Sequence, residues 1–371
     1  MIRTERAHLN VAVHTHAGMT GKNNEDRYAV SSYQLSQEQA LPALFAVVAD
    51  GIGGHRAGEV AAELAVNHIS QVVAESDGRH PRKILERAVH EASQSIADHA
   101  AAAVEQHGMG ATCACAWVIG DKLYTASIGD SRIYLLREGR IQQLTTDHTW
   151  IQEAIERGIL TPDLARDHPN VHVIRRYLGS PEPPEVDFRL RLYDSEGDAL
   201  AEANQGTRIQ PGDMLLLCTD GLTDLVWNDE IAEIIRSKGS PKLAVQALVD
   251  LANQRGGHDN STVILISAPH NLRLNVPKKT NWLPWIIGGA LVFLFMAAFA
   301  SVLTVNLLRA TLFATPTPTS TATSTPTTTH TMTASPIPTD TETPPPTLSP
   351  TYTPWPTNTL PLPTESGTPS P

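Results

Sequence analysis

The chain has 371 residues, 41% hydrophobic and 18% charged, with a formal net charge of −11. All 28 Lys and Arg lie at or before Arg309, whereas only three of the 39 acids (Asp340, Glu342 and Glu365) follow it. That balance leaves no basic footprint for nucleic acid and is compatible with cation binding, and the roughly 260 residues of the stretch 8–268 suffice for one large domain with a full core.

Taken in chain order, "MIRTERAHLNVAVHTH" has no long apolar region, so no signal peptide is expected. His14 and His16, two apart, read as strand surface rather than zinc ligands. Glu25 and Asp26 in "NNEDRYAV" lead into a strand. In "ALFAVVADGIGGHRAGEVAAELA" the apolar run Leu44 to Ala49 ends on Asp50, turns on Gly51, Gly53 and Gly54, and enters a helix. Apolar periodicity predicts amphipathic helices over 57–74, with Val60, Leu64, His68 and Val72 on one face, and over 82–106, with Leu85, Val89 and Ile96. Short strands follow: "TCACAWVI", "KLYTASI" and "RIYLLREGRIQQL", the last folding back at Glu138–Gly139, then "MLLLC" from Met214 and "TVILIS" from Thr262. Their short connections predict antiparallel pairing and an α+β architecture with helices packed on sheet. The stretch "RLRLYDSEGDALAEANQGTRIQPGD" reads as a polar loop before the strand that ends near Asp220. Cys113, Cys115 and Cys218, an odd number within apolar runs, read as core thiols of a reducing compartment.

Residues 283–308, "LPWIIGGALVFLFMAAFASVLTVNLL", are uncharged and long enough to span a bilayer as a transmembrane helix. Trp282 and Trp285 stand at one end, as interfacial anchors do. Arg273, Lys278 and Lys279 precede the helix and Arg309 alone follows it, which predicts a single-pass protein of the cell membrane with the N-terminal domain cytoplasmic and the tail outside. The expected organisation is therefore a globular domain (8–268), a basic juxtamembrane linker (269–282), the helix (283–308) and a disordered Pro/Thr/Ser-rich extracytoplasmic tail (309–371).

Asp50, Asp130 and Asp220 each close a strand, while Asp259 and the pair Glu25–Asp26 each precede one. A buried carboxylate without a partner is costly, and no comparable set of Lys or Arg accompanies these positions. A shared cluster of two or three divalent cations solves the problem. The ligands are all oxygen and no His/Cys zinc spacing is present, so Mg²⁺ or Mn²⁺ fits best. Such a cluster acidifies a water and clamps phosphate oxygens. A dinucleotide fingerprint starting at Gly51 fails at Arg56, and a Walker loop is absent.

The motifs "NNED", "ADGIGGHRAGE", "GMGAT", "IGDSR", "LTTDHT", "CTDGLTD" and "GGHDNSTVI", in that order and spacing, resemble the PP2C-like (PPM) metal-dependent Ser/Thr protein phosphatases of bacterial type, over roughly His8 to Ser267. The resemblance implies a four-layer αββα sandwich of two antiparallel sheets flanked by helices. It implies that Asp50 bridges two Mg²⁺/Mn²⁺ ions, that the Gly51 carbonyl ligates one and that Asp220 and Asp259 ligate the other. Asp130 with Asp220 would form a third-ion site, while Glu25 and Asp26 would hold metal-bound waters. The attacking group would be a metal-bound hydroxide, with no side-chain nucleophile. Phosphoserine and phosphothreonine proteins would be the substrates, a Ser/Thr kinase the functional counterpart, and membrane lipid a contact of the single helix. "RGILTPDLARDHPNVHVIRRYLG" resembles the bacterial flap segment.

Some positions depart from the family or lack a plain role. Gly21 stands where the family usually has a phosphate-binding Arg, and His16 where it usually has an Asp. Lys22, next to Gly21, offers a point charge for phosphate in place of a fork. Ile52 stands where animal members carry a His general acid; bacterial members also have an apolar residue there. His148 reads as a loop-orienting residue, and Arg175–Arg176 as a solvated pair. The departures at 16 and 21 support an alternative, a catalytically impaired phosphoprotein-binding or sensory module, against which the complete carboxylate set weighs.

Overall fold

The computed structural model describes residues 1–36, 40–53, 57–165, 168–271 and 283–312. The chain divides into two units, Met1–Asn281 and Trp282–Pro371. In the first, the strands are β1 (Ile2–Arg3), β2 (Asn10–His16), β3 (Arg27–Gln34), β4 (Pro42–Ala49), β5 (Gly51–Ile52), β6 (Gly110–Ala111), β7 (Cys113–Ile119), β8 (Lys122–Ile128), β9 (Arg132–Arg137), β10 (Arg140–Gln143), β11 (Thr207–Arg208), β12 (Met214–Cys218) and β13 (Ser261–Ser267). The helices are α1 (Ala57–Glu75), α2 (Pro81–Ala102), α3 (Trp150–Glu156), α4 (Pro162–Ala165), α5 (Asp198–Ala203), α6 (Asp220–Thr223), α7 (Asn228–Ser237) and α8 (Pro241–Gln254). The second unit contributes α9 (Leu283–Leu312).

Two antiparallel sheets carry the fold. One runs in the order β1-β3-β4-β7-β8-β11 and the other β10-β9-β12-β13-β2. Side chains on a strand alternate between faces, and β4 shows what that alternation does here. Ala43, Phe45 and Val47 pack with α1 and α2, while Leu44, Ala46 and Val48 pack with Ile133, Leu215, Leu217 and Ile264 of the other sheet. Both faces of β4 are covered, so its sequence reads as an unbroken apolar run. A third apolar cluster joins the far face of the second sheet (Leu216, Cys218, Val263, Leu265) to α7 and α8 through Ile231, Ile235, Val245 and Leu248. The layers are therefore helix, sheet, sheet, helix. Trp117 and Phe45 meet edge to face at 6.3 Å in the first core, and each fully buried side chain of this size contributes about 1.5–3 kcal/mol. Cys113, Cys115 and Cys218 are buried free thiols.

Three local expectations need correction. The buried stripe of α1 runs through Ala57, Ala61, Ala65, Ile69 and Val72–Val73, while Val60, Leu64 and His68 are only half-buried. Small alanines allow α1 to lie close against α2, and a reading that weights large side chains shifts the face by about one residue. The second helix stops at Ala102, because Ala103 is extended, and a 3₁₀ turn covers Val104–Gln106. The polar stretch before Asp220 is not a plain loop. It holds α5 and the edge strand β11, and Arg191 Nη2 reaches Asp198 at 2.5 Å.

In α9 the window Ile287–Arg309 is long and apolar enough to cross a membrane by length and composition. Its 23 residues reach about 34 Å, against a hydrocarbon core of about 30 Å. Residues 272–282, with Arg273, Lys278, Lys279 and Trp282, and the tail from 313 onward lie outside the described residues, as do Gly54 and Arg56.

Candidate metal centre

Register brings the acids to one end of the sandwich. The first residue of β3 faces the last of β4 (Arg27↔Ala49), so Asp26 and Asp50 lie side by side. In the other sheet Cys218 faces Val263 and Ser261 faces His16, so the ends holding Asp220, Asp259 and Gly18 converge. Cys113 faces Ile128, which sets Thr112 beside the Gly129–Asp130 turn. Glycine is required at two of these approaches. A Cβ on Gly51 would collide with the Gly58 carbonyl, and one on Gly221 with the Asn260 carbonyl.

Exposure is graded across the group. Asp26 and Asp130 are buried, Asp50 and Asp220 are half-buried, and Asp259 is exposed. Burial, opposed by the hydroxyls of Thr262 and Thr219, pushes the Asp26 carboxyl up to about 7. Burial, followed by the charges of Asp26, Asp220 and Asp130, raises Asp50 well above the usual carboxylate range. Asp220 is pushed up to about 6 by burial and by the charges of Asp224 and Asp259. Asp130 is raised well above its ordinary value by burial, Asp220 and Asp147, and Glu25 is raised by burial and Asp259. Among the described residues no Lys or Arg forms an ion pair with Asp26, Asp50, Asp130, Asp220 or Asp259. Asp26 Oδ1 and Asp220 Oδ1 are buried with no hydrogen-bond partner. Carboxylates that repel one another and leave oxygens orphaned match what a hard divalent cation takes, so this donor set fits Mg²⁺ or Mn²⁺.

Two cavities open onto the acids. One, of about 520 Å³, is lined by Asp50, Gly51, Ile52, Asp220 and Asp259 together with Val171, His172 and Ile174 of the 157–179 segment. The other, of about 420 Å³, is lined by Lys22, Glu25, Asp50, Gly51, Asp259 and Asn260. All eight residues singled out in the sequence for metal or phosphate therefore meet at this end, with Asp130 set behind Asp50 and Asp220.

The matches to known proteins concern this same unit. A family model described as Protein phosphatase 2C covers residues 14–254. The chain belongs to the protein phosphatase 2C family. A serine/threonine phosphatase of Listeria welshimeri is 31% identical over 262 residues, 70% of this chain and 95% of that protein. A solved serine/threonine phosphatase of S. agalactiae has a TM-score of 0.60 at 29% identity, covering 70% of this chain and 99% of that one. The catalytic domain of the phosphatase PstP, solved in complex with two manganese ions, has a TM-score of 0.57 at 30% identity over 70% of this chain and 97% of that one.

Within this phosphatase 2C domain, two buried residues that carry no charge set the acids in place, and the sequence left both unmarked. Asp50 N donates to Thr112 Oγ1 at 2.9 Å, Thr112 N returns a bond to Asp50 O at 2.8 Å, and Thr112 Oγ1 meets Ser131 Oγ at 2.7 Å. Asn260 accepts from Glu25 N at 2.7 Å, donates to Ala17 O and Asn23 O, and its own N–H donates to Asp259 Oδ1 at 2.8 Å. A signal is present in both cases, because "GMGAT" and "GGHDN" lie among the motifs that carry the family resemblance; the role of the Thr and the Asn needs the contact across the sheets. Thr219 Oγ1 likewise donates to Asp26 Oδ2 at 2.9 Å.

His148 is not at the cavity. Its Nδ1 accepts from Gly129 N at 3.0 Å, so Nε2–H donates to Asp187 Oδ2 at 3.0 Å, and its carbonyl accepts from Arg175 N at 2.7 Å. It orients the Asp130 turn and the start of the 174–178 strap. Among the described residues the Arg175 guanidinium lies 3.7 Å from the Glu153 carboxylate, and that of Arg176 lies 3.7 Å from the Glu185 carboxylate and 3.4 Å from its carbonyl oxygen. His16 turns its Nδ1 onto Gly18 N, and Gly21, at φ +76°, has open space where a side chain would go.

Proposed function

We propose that the chain removes phosphate from phosphoserine and phosphothreonine residues of proteins, using a divalent-cation cluster, on the cytoplasmic face of a membrane to which α9 anchors it. What carries the reading is the pair of buried, unpartnered oxygens, Asp26 Oδ1 and Asp220 Oδ1, amid aspartates with which no described Lys or Arg forms an ion pair. Asp50, the Gly51 carbonyl, Asp220 and Asp259 would hold the cations, Asp130 with Asp220 would offer a further, weaker position, and Glu25 and Asp26 would hold waters at the edge. When bound, the cations supply acidity to a water and neutralise the phosphoryl oxygens. Lys22, at the rim of the 420 Å³ cavity, draws the phosphate in as a point charge. Asp50 and Asp220 belong to different sheets, so a rigid sandwich supports holding water and phosphorus in a constant relation during the reaction.

The test is hydrolysis of a phosphothreonine peptide with Mn²⁺. Activity should vanish on chelation and return when Mn²⁺ is restored; activity that survives chelation, or is absent at millimolar Mn²⁺, overturns the reading. A membrane Ser/Thr kinase is the proposed functional counterpart, and phosphoproteomes with and without the gene should differ in membrane-associated phosphothreonine sites. In right-side-out vesicles the N-terminal domain should be protected from added protease.

A further inference from the structure

Phosphoserine and phosphothreonine leave as alkoxides unless a proton reaches the departing oxygen, and a placed acid contributes about 10²–10⁴-fold to such a step. The 520 Å³ cavity presents this requirement with few candidates. Among its described lining residues only His172 and His258 carry a nitrogen-borne side-chain proton, and Ile52 offers none. We propose that His172 protonates the departing seryl or threonyl oxygen; this deepens the phosphatase reading above and rests on it.

Two sets of observations choose between the imidazoles. His172 Nδ1 lies 3.5 Å from Asp224 Oδ2, and a ring nitrogen lies within 4.8 Å of carboxylate oxygens of both Asp220 and Asp224. The ring is thus next to an acid of the centre and steered by a second carboxylate. The backbone on either side is tied down: Val171 N donates to His168 O at 3.0 Å, Val173 N to Asn170 O at 3.1 Å, and Trp150 N to Val173 O at 2.9 Å. Trp150 in turn stacks on His168 at 4.8 Å. His258, in contrast, folds over its own turn, where a Cβ on Gly256 would lie 2.6 Å from its Cε1. His172 also lines the same cavity as Asp50, Asp220 and Asp259, and its side chain is 68% exposed, so a leaving oxygen turned from those acids toward solvent comes within its reach.

In the step, a water oxygen bonds to phosphorus as the bond from phosphorus to the seryl oxygen breaks. The electron pair of that bond stays on the seryl oxygen, which takes the imidazolium proton. The proton released by the water passes to solvent, solvent reprotonates the imidazole, and the products are the free hydroxyl and inorganic phosphate. Asp224 is a positioning residue for the ring.

The experiment compares the full-length protein with His172→Gln and His258→Gln, in Mn²⁺, on a phosphoserine peptide and on p-nitrophenyl phosphate, whose leaving group departs with little need of a proton. For His172→Gln, kcat on the peptide should fall about 100-fold or more, with a loss at least tenfold smaller on the aryl ester. His258→Gln should change both substrates in proportion. Calorimetric Mn²⁺ titration of the resting proteins should give the same affinity for wild type and His172→Gln. Equal losses on both substrates, a change confined to KM, or leaving-group selectivity appearing in His258→Gln instead would overturn the proposal. A loss of Mn²⁺ affinity above tenfold would make His172 a cation ligand and overturn it as well. A wild type inactive on both substrates would sink the phosphatase reading itself, a result distinct from any difference between variants.

Discussion

Two groups of buried carboxylates stand in the same domain and behave in opposite ways. Asp187 lies in a closed set: His148 Nε2 reaches it at 3.0 Å and Arg189 grips it through Nε at 2.8 Å and Nη2 at 2.6 Å. Burial alone would raise its carboxyl, but the hydrogen bonds from His148 and Arg189 outweigh it and hold the group well below the usual range. Asp26, Asp50, Asp130 and Asp220 face one another without such a fork, and each is raised. Burial is common to both groups, so burial does not separate a structural carboxylate from a functional one. The presence or absence of a protein partner does.

The same chemical change should therefore have opposite effects in the two places. In Asp220→Asn, turnover of phosphopeptide should be abolished while the chelated protein gains about 1–3 kcal/mol, because a strained charge is removed. Asp187→Asn should cost about 3 kcal/mol, since it takes from Arg189 its buried carboxylate and leaves only the 3.3 Å contact to the exposed Asp198. Denaturant melts of the two variants in chelator check the pair, and a shift of the same sign in both would erase the distinction. The pH dependence follows the same split. A carboxyl raised in the folded state keeps a proton that the unfolded chain releases, so its contribution is full below about 4 and is lost as pH rises through about 6–7. The chelated protein should thus lose stability across that window, and saturating Mn²⁺ should remove the slope. Asp187 works in the other direction: its stabilisation is present above its unfolded value and disappears only in stronger acid.

Smaller effects test the supports. Thr112→Val deletes the acceptor for Asp50 N, and should lower Mn²⁺ affinity about 10-fold by calorimetry with about 1 kcal/mol of stability lost. Gly21→Arg has room for its side chain but inherits φ +76°, so about 1 kcal/mol of strain opposes any gain. If Lys22 alone serves the phosphate poorly, KM for phosphopeptide should fall several-fold; an unchanged KM would mean that Lys22 suffices.

Much of this was legible along the chain because strand ends announce themselves. An apolar run closed by Asp-Gly, at Ala49–Gly51 and Cys218–Gly221, marks both the end of a strand and a carboxylate carried to the end of the sandwich. The antiparallel layers followed from short connections. What the chain could not show was set by contacts distant in sequence. Asn260 reaches Glu25 across 235 residues and Thr112 reaches Asp50 across 62, and neither bond leaves a local pattern. The α1 face was misplaced because alanine gives a weak periodic signal, although small residues are what a close helix pair needs. Along the chain His172 stands only as part of the flap-like segment, since its neighbours Asp220 and Asp224 come from a different stretch.

Asp50 hangs from one sheet, Asp220 and Asp259 from the other, and the apolar layer of Leu44, Ala46, Val48, Ile264 and Leu217 lies between. That layer acts as a caliper. Trimming or fattening a methyl group there would change the gap across which the two halves of the acid pocket face each other. On the proposed reading, the ionic radius such a pocket accepts would then depend in part on hydrocarbon, far from any charge.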